Sequence, residues 1–532
     1  MTQPRILLLT TMTADINSDS ISPSLGLLRL QREARRLGFE CDIFDHITDH
    51  VEPLLSRLQE GYYEIFGFSV THMFMKNDLN FLWKVKLFTK NMHRRPLFMA
   101  GGQSATQNTQ VWLECGFDLV VQGYAEKSFP QICERYASGA NGAPWKVYGD
   151  ILGVAYLDHS GTLVRNPVTP FTKDEFEAFS TVTDINVPYE IYWNMVRSNT
   201  TEALTYNQRS FVVENGRLYT SSRCLAHCGY CASGESFLRI SQNGQAPFFM
   251  LSAEQIHEQM VHQVASYGVR SFSFNDEDFL VGNRVGIRRI MDLCHTIIQS
   301  KKNGILPKEL KLSCQTRPNN FLIDKAKDRR VNRKLLQVML DAGFHNVSLG
   351  IETFSDRLLN CRSINKPYIR SEEIHQVLHT IFDVGLFPTI NLILGIPEST
   401  TDDLIETASY GLMYLQKPCQ ISSNIPMFAF PGAPIWGNDL YPTADTIWVH
   451  PESSRIVNIP FRYQIHDPKA AAILEQLEGC CRTELESIQR MHGMNSNLVV
   501  RTLKTIATFS AIAKLTGHNS LSKQCEAIQA TL

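Results

Sequence analysis

The chain has 532 residues, 43% of them apolar and 20% charged, with a formal net charge of −2. This length exceeds what one hydrophobic core usually serves, so two to three domains are expected. The nearly balanced charge lacks the excess of basic residues that is typical of nucleic-acid-binding proteins. No apolar run approaches the roughly 20 residues of a membrane helix.

The cellular compartment is suggested by cysteine usage and by the first residues. The 13 cysteines are scattered through a long chain and are odd in number, which favours a reducing cytoplasm over a disulfide framework. The strand-like run Ile6–Leu9 follows the N-terminus directly and is too short for a secretory signal. A cytoplasmic protein is therefore expected.

Short apolar runs alternate with amphipathic segments over residues 1–145. In Leu25–Leu37, for example, the leucines recur at helical spacing. Strands that alternate with helices predict a parallel sheet covered on both faces, in a flavodoxin-like or Rossmann-like domain. The predicted strands are Arg5–Thr10, Phe39–Phe44, Glu64–Val70, Leu97–Ala100 and Phe117–Val121.

Glycines and small polar residues follow these strands at their carboxyl ends, where such sheets bind ligands. Glycine lets the backbone approach a ligand closely, and hydroxyl and amide groups offer hydrogen bonds. The pattern Gly-x-Gly-x-x-Gly is absent after the first strand, which argues against a dinucleotide. The candidate ligand-binding residues are Thr11, Ser69, Thr71, Gly101, Gly102, Gln103, Thr106, Gly123, Tyr124 and Glu126.

Residues 146–215 are interpreted as a linker and cap that begins with a hairpin-like segment at Gly153–Gly161. A second alternating series over residues 216–430 predicts a partial (β/α)6 TIM-type barrel. Its predicted strands are Arg217–Thr220, Val269–Phe274, Glu309–Ser313, Asn346–Gly350, Phe387–Leu394 and Gln420–Phe428. Its predicted helices are Ala253–Tyr267, Val285–Ser300, Asn332–Ala342, Ser371–Val384 and Thr401–Leu415.

Three cysteines with C-x3-C-x2-C spacing, Cys224, Cys228 and Cys231, follow the first strand of this series. Three thiolates on one short loop can hold three irons of a [4Fe–4S] cluster and leave the fourth iron open. The loop lies at the carboxyl end of a barrel strand, where barrels place their chemistry. A structural zinc site with His227 as a fourth ligand, or three unrelated core cysteines, are the alternatives.

Polar residues also follow the later barrel strands. The second strand ends in Asp276-Glu277-Asp278, and carboxylates buried at a barrel mouth should meet cations or hydrogen-bond donors. Arg317, after the third strand, is placed to hold a carboxylate bidentately. Glu398, after the fifth, belongs either to the site or to the cap of the next helix.

The cysteine loop, with Tyr230 before its last cysteine, resembles the signature of the radical S-adenosylmethionine (SAM) superfamily. The resemblance implies a [4Fe–4S] cluster on the three cysteines, with SAM on the open iron as the source of a 5′-deoxyadenosyl radical. The Gly-Ile-Glu run at 350–352 and the Asn391–Glu398 run resemble further motifs of that superfamily, although Asn391 replaces a glycine. The SAM contacts implied are Tyr230, Asp276, Glu277, Arg317, Glu352, Ile393 and Gly395.

The runs Gly101–Thr106 and Gly123–Glu126, placed before the cysteine loop, resemble the cobalamin-binding domain of cobalamin-dependent radical SAM enzymes. The resemblance implies that the ten candidate residues of the first sheet contact cobalamin. The motif Asp-x-His-x-x-Gly is absent, so cobalamin is expected base-off and without a histidine ligand. His72 as a cobalt ligand, and a degenerate domain that serves only as a scaffold, remain alternatives.

Residues 431–532 are predicted as a C-terminal helical region, with helices over 470–486 and 498–515, that closes the barrel. The resemblance implies C-methylation of an unactivated carbon of a small molecule or natural product, through the deoxyadenosyl radical and methylcobalamin. It also implies an electron donor such as flavodoxin or ferredoxin. The alternatives are a non-methylating rearrangement, cyclisation or ring contraction, and an iron–sulfur redox or sensor module without SAM turnover.

Overall fold

A computed structural model describes residues 3–12, 21–139, 142–168, 170–199, 214–233, 247–323, 329–477 and 498–529. Two sheets with parallel cores organise this part of the chain, one in the N-terminal part and one in the middle. Within the described residues, no helix is both long and apolar enough to cross a bilayer.

The first sheet has seven strands in the order β2-β1-β3-β4-β5-β6-β7. Its first five strands are parallel, and the hairpin β6–β7 adds two antiparallel strands beside β5. The order 2-1-3-4-5 is that of a flavodoxin-like sheet, so the predicted fold is confirmed. The strands are β1 (Ile6–Thr10), β2 (Cys41–Asp45), β3 (Ile65–Ser69), β4 (Leu97–Gly101), β5 (Leu119–Val121), β6 (Val154–Leu157) and β7 (Leu163–Arg165).

Helices cover both faces of this sheet, and each face has its own apolar core. Leu7, Leu9 and Phe66 face one core, whereas Ile6, Leu8 and Ile65 face the other, as the alternation of side chains along a strand requires. The helices are Leu25–Arg36, Val51–Gln59, Met75–Thr89, Gln103–Gln107, Thr109–Glu114, Ser128–Ala137 and Pro144–Val147; Lys173–Ser180 and Tyr189–Asn199 follow the hairpin.

The second sheet has six parallel strands, which are neighbours in the order in which they occur along the chain. Strands connected in this way through helices give the connectivity of an incomplete (β/α)6 barrel, as predicted. The strands are β8 (Asn215–Leu218), β9 (Ser271–Phe274), β10 (Lys311–Thr316), β13 (Phe344–Glu352), β14 (Phe387–Gly395) and β15 (Gln420–Pro426); β11 (Leu322–Ile323) and β12 (Arg330–Val331) form a separate small hairpin.

The barrel helices begin and end at capping residues that the sequence supplies. The helix after β8 begins with a capping box between Ser252 and Gln255 and ends at Gly268, which has a left-handed conformation. Thr400 and Asp403 form the capping box of the helix after β14. The helices are Ala253–Tyr267, Arg284–Lys302, Arg333–Ala342, Asp356–Leu359, Ser371–Val384 and Thr401–Leu415.

The C-terminal region contains helices, as predicted, and also a hairpin that was not predicted. The helices span 468–477, Leu498–Thr516 and Asn519–Gln529, while the predicted extension to residue 486 lies outside the described residues. Gly411 lets the helix Leu498–Thr516 pack closely, because a Cβ there would lie 2.6 Å from the Phe509 ring. The unpredicted hairpin is β16 (Thr443–Val449) and β17 (Ile456–Tyr463), which are antiparallel.

Candidate functional site

The cysteine loop, residues 222–231, follows the carboxyl end of β8 and packs against the segment 361–366. Gly229 is required there, because a Cβ would lie 2.0 Å from the carbonyl oxygen of Arg362. Cys228 is buried, and Cys224 and Cys231 are partly buried. The barrel therefore holds the three sulfur atoms at the predicted position on the sheet.

The electrostatics of this loop suit a metal cluster. Burial raises the pKa of Cys224 to about 12 and also raises the pKa of Cys231. Because a ligating cysteine must be a thiolate, the loop needs positive charge beyond the Arg317 guanidinium, which only partly offsets the effect of burial on Cys224. Iron would supply that charge, and the Ala226 N–H donates to Cys224 Sγ at 3.3 Å. The three cysteines thus fit the iron–sulfur cluster.

A single-ion site finds no support in the described part of the chain. There, no three His, Cys, Asp or Glu side chains converge on one ion position. A structural zinc needs four ligands around one centre, whereas the thiolates of a cubane cluster are spread over its corners.

Tyr230 and Glu352, both predicted SAM contacts, lie next to each other. The Tyr230 hydroxyl donates to Glu352 Oε1 at 2.8 Å, and the buried Lys366 ammonium donates to the same oxygen at 2.8 Å. Burial opposes the charge on Lys366, but the Glu352 carboxylate raises the pKa of Lys366 above its usual value. Glu352 has φ +68°, a strained conformation for a residue other than glycine. The cluster loop is thereby tied to the end of β13.

The three consecutive carboxylates after β9 have three different environments. Asp276 is buried and accepts hydrogen bonds from the Thr220 backbone N–H and from the hydroxyls of Thr220 and Ser221. Asp278 pairs with Arg317 at 2.8 Å. Glu277 is accessible and has no side-chain donor among the described residues. Although the side chain reaches the surface, the protein around its carboxyl group partly desolvates it, and this desolvation together with Asp276 and Asp278 raises the pKa of Glu277.

Arg317 therefore binds a carboxylate of its own chain in this structure, through Nε and a terminal nitrogen on the same oxygen of Asp278. Its guanidinium also lies 5.4 Å from the centroid of the Tyr368 ring. A role of Arg317 in binding the SAM carboxylate stays a prediction.

The end of β14 carries Ile393 and Gly395, which are close to β15. A Cβ on Gly395 would lie 2.2 Å from the Ile425 carbonyl oxygen, so only glycine allows this strand approach. Asn391, where the related motif has glycine, donates to the Ser348 hydroxyl of β13 at 2.8 Å. Glu398 does not cap the following helix, since Thr400 is the N-cap.

Glu398 instead joins two segments near the cluster loop. Its carboxylate accepts hydrogen bonds from the Ser363 hydroxyl and from the Tyr441 hydroxyl, the latter at 2.7 Å. The alternative that Glu398 only caps a helix is therefore wrong.

A cavity of about 640 Å³ opens at the carboxyl ends of β1, β3, β4 and β5. It reaches the point between β1 and β3 where the strand order reverses, which is where open parallel sheets bind ligands. Gly102 has φ +97°, and a Cβ there would lie 3.3 Å from the Val70 carbonyl oxygen. The predicted residues that line this cavity are Ser69, Thr71, Gly101, Gly102, Gln103, Gly123, Tyr124 and Glu126.

A smaller cavity of about 280 Å³ lies between this sheet edge and the cysteine loop. Its walls include Gln103 and Thr106 from the first sheet, and Ser222, Ser233 and Glu277 from the barrel. The Tyr124 hydroxyl donates to the Ser222 carbonyl oxygen, two residues before Cys224. The two sheets therefore present their ligand-binding ends to each other.

Two residues predicted near this region do not line either cavity. Thr11 donates to Asp78 at 2.5 Å, and Asp78 also accepts the Thr71 N–H at 3.1 Å, so Asp78 links the loops after β1 and β3. His72 is buried beneath the hairpin β16–β17, where its Nε2 lies 2.5 Å from the Pro460 carbonyl oxygen. His72 thus faces the hairpin, and its environment gives no support to a role as a cobalt ligand.

Three residues that motif reasoning missed also belong to this region. Arg29 and Tyr219 line both cavities, and Lys366 supports Glu352. Arg29 had a visible signal, because it follows Leu25 by four positions and so lies on the buried stripe of its helix. For Tyr219 and Lys366 the sequence contains no signal other than their position after a strand.

Comparison with known proteins agrees with this architecture. Residues 218–411 match the radical SAM superfamily. An uncharacterised methyltransferase of Pyrococcus horikoshii is 22% identical over 356 residues, a match that spans 66% of this chain and 65% of that relative. The chain thus contains a radical SAM domain, and the match spans less than two thirds of the length of the curated relative.

Two solved structures share the fold at low identity. The cobalamin-dependent SAM radical enzyme OxsB, solved with aqua-cobalamin and SAM bound, has a TM-score of 0.66 at 14% identity and covers 99% of this chain and 74% of its own. The radical SAM methyltransferase TsrM from Kitasatospora setae, solved with tryptophan and a SAM analogue, has a TM-score of 0.58 at 15% identity and covers 81% of this chain and 75% of its own.

Proposed function

We propose that the chain is a cobalamin-dependent radical SAM enzyme that methylates an unactivated carbon of a small organic molecule. The observation that carries this proposal is the meeting of the two ligand-binding ends. The strand-end loops of the first sheet and the cysteine loop line one smaller cavity, and Tyr124 bonds directly to the cysteine loop. Such an arrangement suits transfer of a group between two cofactors.

The cofactors would supply the difficult chemistry: the cluster and SAM a carbon-centred radical, and cobalamin a transferable methyl group. Cys224, Cys228 and Cys231 would hold the cluster, and Glu277 is the carboxylate free to meet the SAM amino group. The loops at Gly102 and Gly123 would hold cobalamin, with no histidine ligand to cobalt. SAM contacts by Tyr230, Glu352, Ile393 and Gly395 are part of this proposal, whereas the predicted SAM contact Asp276 would support the barrel mouth, because both of its oxygens accept hydrogen bonds from Thr220 and Ser221.

The chain's own contribution is to bind, orient and exclude water. Tyr124, Phe171, Phe176 and Phe179 line the smaller cavity, and the Tyr124 and Phe171 rings stack at 4.4 Å. A cavity of this size lined by aromatic rings suits a small molecule rather than a polymer. We place the enzyme in the cytoplasm, with flavodoxin or ferredoxin as the electron donor.

The test is anaerobic reconstitution with iron, sulfide and hydroxocobalamin, followed by desalting and measurement of iron and cobalt. About four irons and one cobalt per chain are expected. SAM with a deuterated methyl group should then label a product. Iron without cobalt would make the first domain a scaffold, and SAM cleavage without methyl transfer would favour a rearrangement or ring contraction.

Two variants separate the cofactors. Cys228→Ala should abolish SAM cleavage, and retained cleavage would defeat the cluster assignment. Gly102→Leu should lower cobalt content and keep iron. Gly139→Leu is its control, since Gly139 also has a positive φ, +78°, with no atom within 4 Å of its Cβ position.

A further inference from the structure

Arg29 is a cation with unmet hydrogen-bonding capacity at the junction of the two cavities. It projects from the helix Leu25–Arg36 and lines both of them. It donates one long hydrogen bond, 3.4 Å from a terminal nitrogen to the Ser180 carbonyl oxygen. Its buried Nε has no acceptor among the described residues. A guanidinium has five N–H donors, so most of this group's capacity is free for a ligand.

No carboxylate in the described part of the chain forms an ion pair with Arg29. Among the acidic groups, Glu126 has the largest electrostatic effect on Arg29, but the two side chains form no ion pair, and the positive charge of Arg32 acts in the opposite direction. Burial lowers the pKa of Arg29 from its usual value. A partly buried guanidinium without a carboxylate in ion-pair contact among the described residues would be stabilised by a bound anion.

The larger cavity extends from Arg29 into an apolar slot between the sheet and two helices. Leu8, Met99 and Phe129 line the slot, together with Leu27 and Leu30 of the helix that carries Arg29. Gly67 keeps it open from the β3 side, where a Cβ would lie 2.7 Å from Leu8 Cδ2. The cavity thus combines a cation near its mouth with an apolar inner end.

We propose that Arg29 binds the phosphodiester of the cobalamin nucleotide loop. This inference rests on the proposed function. The phosphodiester is the anionic group of cobalamin and lies between the corrin ring and the flat aromatic base. With the base in the apolar slot, the phosphodiester comes to the mouth, where the Arg29 guanidinium donates to its oxygens. The site is specific for corrinoids that carry a phosphate.

The test compares three corrinoids on the cluster-reconstituted full chain: cobalamin, cobinamide phosphate and cobinamide, which lacks both phosphate and base. Dissociation constants are measured by equilibrium dialysis with absorbance detection. Wild type should bind cobinamide phosphate about tenfold tighter than cobinamide, the usual strength of a charge-assisted pair. Arg29→Gln should remove this preference and leave the affinity for cobinamide unchanged.

Arg36→Gln is the matched control, because Arg36 lies on the exposed side of the same helix in surface ion pairs with Glu33 and Asp184. It should keep the phosphate preference. Iron content and circular dichroism report whether each variant is folded. If Arg29→Gln does not fold, Arg29→Lys is measured instead. It should show a reduced preference for the phosphate, because a single ammonium group replaces the planar guanidinium with its several donors.

Wild type that binds all three corrinoids equally would overturn the role of Arg29 and leave the proposed function intact. An unchanged preference in Arg29→Gln would do the same. Wild type that binds none of the corrinoids would instead defeat cobalamin dependence itself.

Discussion

Consecutive residues of one type take different roles according to the partners that surround them. Asp276 and Asp278 are neutralised by hydrogen bonds and by Arg317, which makes them part of the framework of the barrel mouth. Glu277 lies between them and faces the smaller cavity without such a partner. A carboxylate left unpaired beside a cavity is the one suited to a cationic ligand group.

Replacing Glu277 with glutamine should therefore weaken SAM binding without disturbing the fold. Loss of a charge-assisted contact predicts about a tenfold higher dissociation constant, measured by equilibrium dialysis of the anaerobically reconstituted protein. The melting temperature should stay at the wild-type value, because no described donor bonds to the side chain.

Asp276→Asn provides the contrast. An amide there turns hydrogen-bond donors towards the Thr220 N–H and the Ser221 hydroxyl, so the melting temperature should fall. Equal SAM affinity in wild type and Glu277→Gln would show that Glu277 does not contact SAM.

Helices and strands were predicted well where the apolar periodicity and the capping or turn residues indicate the same bounds. The helices Ala253–Tyr267 and Thr401–Leu415 have the predicted bounds, because a capping box begins each of them. The hairpin β16–β17 was missed because apolar residues occur on both of its faces, as at Ile447 and Trp448, and because prolines and glycines surround it. Alternation alone does not identify such a strand.

Only those site residues that directly follow a strand could be predicted from the sequence. The rule that ligands meet the carboxyl ends of parallel strands placed Gly102 and Glu277 correctly at the cavities. It could not show that Arg317 is paired with Asp278 or that Lys366 supports Glu352, since both pairs depend on loop conformations that follow the strands.

The contact between the cysteine loop and the segment 361–366 should be needed for the loop to bind iron. Gly229→Ala would place a methyl group 2.0 Å from the Arg362 carbonyl oxygen and 2.6 Å from that of Ser363. The loop must shift, at a cost of about 1–3 kcal/mol, and iron content after reconstitution should fall.

Gly304→Ala is the control for this loop variant. Gly304 has φ +73° and open space around its Cβ position, so alanine adds backbone strain far from the cluster. Its iron content should equal that of wild type. A full iron complement in Gly229→Ala would show that the loop does not depend on this contact.

At the scale of the whole molecule, the hairpin β16–β17 attaches the C-terminal region to the first sheet. Trp448 Nε1 donates to Asn80 at 2.9 Å, and Arg455 pairs with Glu114 at 2.5 Å. Trp448, Val457 and Ile459 join the apolar core on one face of that sheet. The hairpin also covers His72, which follows the predicted ligand-binding residue Thr71. The hairpin thus packs on the face of the sheet opposite the apolar slot and stabilises the domain that forms the larger cavity.

Trp448→Ala should therefore destabilise the first domain and weaken cobalamin retention, although Trp448 lies outside both cavities. Removing a buried tryptophan costs about 3–5 kcal/mol, which should appear as a lower melting temperature and a lower cobalt content after desalting. Ile447→Ala is the control on the adjacent position, since the Ile447 side chain is 56% exposed and points to the other face. Iron content should be unchanged in both variants, because the cysteine loop is held by the barrel. A Trp448→Ala protein that keeps its cobalt while its melting temperature falls would separate the hairpin's stabilising role from any support of the cofactor cavity.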